Sequence, residues 1–514
     1  MIAGNPADWS LVEASNELRA GRVSSTELTE ACLQRIAARD KYYAAWIRVY
    51  EDAARAAARA ADKTFSQGRA GPLTGIPIGL KDVIGAAGLP LTADSAVLEG
   101  NVAPVDATAW SRLRKAGMIL LGHLHCGEFA NGVWGVNPWG QSLSPGGSSS
   151  GSAIALAARM VPATLGSDGR GSIRMPAAFN GVTAVKPTFG LISTAGCIPI
   201  TFTYDVIGPM ARSAADCAML LSAMAGRDAA DHATLIQPPA STYPAAPRRG
   251  RHPASGVRIG IPKFPGEPMS DGVAAVYARF QDELAALGAE LVSFDWPENP
   301  LEQPSAERPG EWVHILGAEA HVIHEQFAGR QNLYRREFRQ LFAPMSAYGS
   351  AADYVRAQVK RAEYVRTWTA IFTENELTAV VHPAAQDEAF GTEIEVIIGK
   401  PPRLMFGAWN DANFPVVSLP AGISPKDDSP VGMQLAGAPF TEAALLQLAV
   451  DIQARSDYHQ QIPARLDYTS AYRGPTRQET GTSQPPFVPV PSPIDPIALA
   501  GIGDSSAPVR SRGV

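Results

Sequence analysis

Residues 144–152, "SPGGSSSGS", put five serines and three glycines into nine positions and run straight into the Ala-rich "AIALAARM". Glycines open backbone paths closed to other residues, and clustered hydroxyls compete for backbone hydrogen bonds, so few local structures suit this stretch. A flexible linker would separate independent units, yet apolar α/β patterns press on both sides and a second glycine-rich run follows within one helix length. A phosphate cradle would need Lys after the final glycine, in G-x-x-x-x-G-K-[ST], and Ser152 follows Gly151. The remaining reading is a loop that holds one hydroxyl for nucleophilic catalysis, which requires a base, a proton relay and N–H donors for an oxyanion. The second run, "SDGRGSIR" at 167–174, offers those donors: Gly169, Arg170 and Gly171 can turn their N–H groups toward one point beside Ser172. No G-x-S-x-G elbow is present and none of the nine histidines sits in a triad motif. A lysine whose pKa is lowered by burial is the economical base, and Lys81 ends the apolar run "LTGIPIGLKD".

The rest of the chain bounds the function class. Hydrophobic residues make up 46% and charged residues 18% of 514, enough to bury a substantial core. A net charge of −6 without a long basic run argues against a nucleic-acid partner and for a small-molecule or peptide substrate. Cys32, Cys126, Cys197 and Cys217 show no C-x-x-C spacing and read as reduced thiols. No basic-then-apolar leader opens the chain and no run of about 18 apolar residues occurs, so a cytoplasmic protein off the membrane is expected. His314, His321 and His324 share a helical segment without an H-E-x-x-H pattern, and neither a metal nor a cofactor is expected.

Along the chain, 24–67 opens on a Ser/Thr cap and carries apolar residues at helical spacing, which predicts two helices. Residues 73–85 and 117–125 read as buried strands, and strand, loop and helix then alternate. The prediction is an α/β fold: a large mixed β-sheet core flanked by helices. A Pro/Ala/Arg-rich connection is expected at 227–255, a mostly helical block at 271–376, and a return to the core at "LTAVVHPAA". One domain over 1–466 is expected, followed by an irregular Pro-rich tail at 467–514.

Taken together, "GIPIGLKD", "SPGGSSSGSA", "GSDGRGSIRMPAAFNGVTAVKPT", "DVIGPMARSAAD" and "PVGMQLAGAPFTEAALL" resemble the amidase signature family, in order from about residue 13 to 462 and most weakly at 271–376. The resemblance implies the amidase signature fold, amide hydrolysis through an acyl-enzyme, and a triad in which Lys81 is the base, Ser148 a bridging serine after a cis peptide, and Ser172 the nucleophile. The backbone N–H groups of Gly169, Arg170, Gly171 and Ser172 would hold the oxyanion. Asp168 and Arg174 would brace the loop, Ser149 would support the relay, and Lys186 would be structural. Segments bearing Trp134, Phe202, Tyr204 and Trp409 would approach the cleft, with an aryl or apolar acyl group as substrate. Arg170 stands where the family carries a glycine, its side chain either entering the pocket or lying in solvent. The preferred function is a stand-alone amidase for linear amides, with esterase side activity, whose partners are a small-molecule amide and, in a homodimer, a second copy of itself, with no nucleic acid and no membrane. The alternatives are a catalytically silent binding protein and the glutamine-hydrolysing subunit of an amidotransferase.

Overall fold

The computed structural model describes residues 5–239, 242–266, 268–302, 310–340, 349–389 and 405–464. The predicted tail at 467–514 lies outside the described residues. Among those described, eleven strands form one sheet: β1 (Trp46–Val49), β2 (Pro77–Lys81), β3 (Ile119–Leu124), β4 (Ala163–Asp168), β5 (Thr183–Lys186), β6 (Val206–Ala211), β7 (Arg258–Lys263), β8 (Glu290–Asp295), β9 (Ala379–Pro383), β10 (Val416–Ile423) and β11 (Pro430–Ala436). Their spatial order is β1-β3-β2-β4-β6-β5-β10-β11-β9-β7-β8. The sheet is mixed, as expected. β2 runs parallel to both β3 and β4, and β7 parallel to β8 and β9, while β4–β6, β6–β5, β5–β10 and β10–β11 are antiparallel. Every residue of β2, β4, β5, β6, β9 and β11 is buried, which is why these strands read as apolar runs without alternation.

The helices follow from local signals. Ser24 accepts from the Glu27 N–H while the Glu27 carboxylate accepts from the Ser24 N–H, a capping box that starts the helix Ser25–Tyr43. The second helix expected in this region is Glu51–Ser66, and β1 lies between the two. The block at 271–376 contains helices Asp271–Ala286, Trp312–His324 and Ala351–Glu374, but β8 interrupts it and extends the sheet beyond β7. The helix Ser150–Ala157 is buried along its whole length, directly behind the serine loop.

Candidate active site

β2 and β4 are hydrogen-bonded neighbours in parallel register, Gly79 opposite Thr164 and Leu80 opposite Leu165, so their C-terminal ends, Lys81 and Asp168, open on the same sheet edge. Lys81 is fully buried, and its Nζ donates to Ser148 Oγ at 2.8 Å and to the Ser167 carbonyl at 3.3 Å. Burial pulls its pKa down to about 8, against the opposing pull of Cys126, Asp205 and Asp168.

Every residue from Leu143 to Ser150 is buried, which excludes a flexible linker. The Gly147–Ser148 peptide is cis, and Gly146 has φ +64°. A Cβ at Gly147 would collide with the Gly132 carbonyl oxygen, and one at Gly151 with the Ala45 carbonyl oxygen. Glycine is required at both places because backbone passes against backbone. Ser144 Oγ accepts from the Gly146 N–H, Ser150 Oγ donates to the Gly146 carbonyl, and Ser152 Oγ donates to the Leu165 carbonyl. Ser149 Oγ bonds the Ser167 backbone, and its N–H donates to the Ser172 carbonyl at 3.0 Å. These four serines fasten the loop to itself, to β4 and to the following turn. The hydroxyl of Ser148 is directed to Lys81.

The turn carrying Ser172 is braced from below by Asp168. Its carboxylate accepts from the N–H of Gly171 at 2.6 Å and of Ile173 at 3.1 Å, and pairs with Arg174 at 3.0 Å. Burial pushes the Asp168 carboxyl up, but the charge and hydrogen bonds of Arg174 outweigh it and hold the group well below the usual carboxylate range. Arg174, fully buried, also donates to the Phe406 carbonyl, Gln434 Oε1 and Asn410 Oδ1. Asp168 and Arg174 therefore act on the loop's shape. The expectation for Gly171 is corrected, since its N–H already serves Asp168 and leaves Gly169, Arg170 and Ser172 as candidate oxyanion donors. Gly171 has φ +108°, and a Cβ there would lie 2.6 Å from Phe406 Cβ. Ser172, Gly169 and Arg170 are only partly buried, unlike the residues that brace them.

Several pocket assignments change. Tyr204 is 1% exposed and packed with Leu301, Ile315 and Ala357, its hydroxyl donating to Asp411 Oδ1 at 2.9 Å; it is core. Trp409 is fully buried, donates to His382 Nε2 at 2.7 Å and packs on Trp368 with ring centroids 4.4 Å apart; it too is core. Arg170 takes neither course set out for it, because Asp411 and Glu302 each accept from its guanidinium at 2.7 Å. Trp134 is partly buried between His125, stacked at 4.8 Å, and Arg335, while its backbone N–H donates to Ser150 Oγ in the serine loop. Phe202 is partly buried, its N–H donating to Glu319. Lys186 is buried on β5, its Nζ donates to the Pro187 carbonyl, and burial together with the Arg174 charge brings its pKa to about 7. Sequence reasoning missed Asn410, Gln434 and the Phe406 carbonyl as partners of Arg174.

A family model described as Amidase matches residues 27–446. The chain belongs to the Amidase family. Among its relatives, the A subunit of glutamyl-tRNA(Gln) amidotransferase from Chloroflexus aurantiacus is 37% identical over 88% of this chain and 98% of that protein. The protein of the same name from Aromatoleum aromaticum is 38% identical over 88% and 99%. Of solved structures, native peptide amidase from Stenotrophomonas maltophilia superposes with a TM-score of 0.76 at 30% identity, over 89% of this chain and 99% of that one. The A subunit of glutamyl-tRNA(Gln) amidotransferase from Thermotoga maritima gives 0.73 at 26% identity, over 90% and 98%. The mixed sheet is thus an amidase fold, and the chain is an amidase-family enzyme. One expectation is overturned: a protein acting without partners beyond a small amide and a second copy of itself does not fit relatives named as one subunit of an amidotransferase, with a tRNA in the name. No helix among the described residues is long and apolar enough to cross a membrane.

Proposed function

We propose that this chain hydrolyses a carboxamide through an acyl-enzyme on Ser172, and that it does so as the glutamine-hydrolysing subunit of an amidotransferase. The observation that carries the chemistry is the buried Lys81 amine 2.8 Å from the Ser148 hydroxyl, with the Ser172 carbonyl bound by the N–H of Ser149. The amidotransferase reading draws on the relatives that are 37% and 38% identical and bear that name.

In this reading, neutral Lys81 keeps one N–H on the Ser167 carbonyl and turns its lone pair to Ser148. Ser148 passes its proton to Lys81 and takes the proton of Ser172, whose Oγ bonds to the amide carbon. The N–H groups of Gly169, Arg170 and Ser172 receive the oxyanion, each such donor lowering the barrier by about 3–4 kcal/mol. As the tetrahedral intermediate collapses, the proton returns along Lys81 and Ser148 to the departing nitrogen, which leaves as ammonia. Water then attacks the acyl-Ser172 ester by the same relay and frees the acid.

A second reading, a stand-alone amidase for other linear amides with esterase side activity, is favoured by the likeness to peptide amidase, at a TM-score of 0.76. The deciding experiment measures ammonia release by the purified chain from glutamine and, separately, from a C-terminally amidated dipeptide. Glutamine turnover that disappears in Ser172→Ala is the expected result. Turnover of the peptide amide alone would select the second reading, and activity unchanged by Ser172→Ala would end both.

A further inference from the structure

Arg170 lies in the turn that carries Ser172, two residues before that serine, and its side chain reaches three separate segments. Nη1 donates to Asp411 Oδ1 and Nη2 to Glu302 Oε1, each at 2.7 Å, and the guanidinium lies 4.5 Å from the Trp312 ring centroid. Asp411 is fully buried, and its oxygens also accept from the Tyr204 hydroxyl at 2.9 Å and Asn299 Nδ2 at 2.8 Å. Among the described residues, Arg170 is the cation paired with that carboxylate. A Cβ at Gly407 would collide with both Arg170 and Glu302, so the ion pair rests against the backbone that follows Phe406, the residue packed on Gly171. Glu302 and Trp312 belong to the block at 271–376, where the sequence resemblance to the family is weakest.

A backbone amide can stabilise a developing oxyanion only if it is already aimed when charge appears, and a displacement of about 1 Å costs about a hundredfold in rate. The Arg170 N–H belongs to a residue whose far end is fastened at three points, whereas a glycine there would leave the peptide free to turn. We propose that Arg170 is a positioning residue: by clamping Asp411, Glu302 and Trp312 it fixes the oxyanion turn and couples it to the segment that carries Glu302 and Trp312. The inference rests on Ser172 being the nucleophile. It assigns the guanidinium no contact with substrate, because both carboxylate partners come from the protein. Lysine, a point charge without the fork, cannot reach both carboxylates in this geometry.

The test uses an alkyl fluorophosphonate, in which Ser172 Oγ bonds to phosphorus, fluoride leaves and the serine proton passes to the relay. Labelling is followed as a saturating process, giving a maximal rate and a half-saturating concentration, for wild type, Ser172→Ala, Arg170→Met, Arg170→Lys and Glu302→Gln. Ser172→Ala should not label. Arg170→Met should lower the maximal rate about 30- to 300-fold, with the half-saturating concentration changed by less than about threefold. Arg170→Lys should recover only part of the loss, and Glu302→Gln should fall in the same direction by less. Labelling of Arg170→Met at the wild-type maximal rate, or a change confined to the half-saturating concentration, overturns the inference while leaving the nucleophile assignment standing. Persistent labelling of Ser172→Ala overturns both. If Arg170→Met does not fold, Glu302→Gln decides, since its side chain is 47% exposed and its loss leaves no buried charge unpaired; a wild-type maximal rate in that variant rejects the coupling.

Discussion

Lys81 is charged below its pKa and neutral above it, and only the neutral amine can accept the proton of Ser148. With burial placing that pKa at about 8, kcat/KM for an amide should rise roughly tenfold per pH unit up to about pH 8 and level off above it. A profile flat from pH 6 to 9 would mean that Lys81 is not the base. Lys81→Ala should lower amide hydrolysis by roughly three or more orders of magnitude. It should harm a p-nitrophenyl ester less, because that leaving group departs without a proton; equal losses on both substrates would point to a collapsed site. Lys81 was legible as a candidate base because it ends a buried apolar run, but its pairing with Ser148, 67 residues away, came only with the family resemblance, and its bond to the Ser167 carbonyl had no sign in the sequence. The partners of Tyr204 and Trp409 were not legible, since an aromatic residue reads the same in a sequence whether it faces a cleft or, like Trp409, is packed against Trp368.

The turn from Asp168 to Arg174 is the element on which the proposed site depends, and Asp168→Asn would leave the fully buried Arg174 without its carboxylate. Removing one member of such a pair typically costs about 3–5 kcal/mol, so chemical denaturation should show a loss of that order together with lost activity. A midpoint unchanged from wild type would show that Arg174 finds its compensation elsewhere. Gly171→Ala combines a left-handed φ with a clash on Phe406 and should destabilise by about 1–3 kcal/mol. Wild-type stability in that variant would mean that the turn can re-form around a side chain. At this scale the buried strands β2 and β3 and the capped helix Ser25–Tyr43 could be read from the chain, because burial on both faces and the capping box leave local signatures. β1 and β8 were not read: each is an edge strand, and in β8 the apolar Leu291, Val292 and Phe294 are only partly covered between exposed polar residues, so the segment merges with the helical block around it. The brace was equally hidden, since Arg174 meets partners 232 to 260 residues further along the chain.

For the molecule as a whole, no group of three His, Cys, Asp or Glu residues among those described converges to hold a metal ion, and the proposed chemistry uses an amine and two hydroxyls. Activity should therefore survive dialysis against EDTA; loss restored by zinc alone would require a ligand set beyond these residues. The order of the sheet carries a consequence for the protein while it is being made. Lys81, Ser148 and Ser172 all precede β6, and β1 to β6 are contiguous in the sheet, so one flank can assemble early on the ribosome. Phe406, Asn410 and Gln434, which hold Arg174 in the turn that carries Ser172, emerge more than 200 residues after Ser172. A nascent chain thus carries every proposed reacting group through nearly half of its synthesis without the parts that aim them. On the proposed chemistry, hydrolytic competence awaits the synthesis of residues 406–434, and a fragment that stops short of them would carry the reacting groups unaimed.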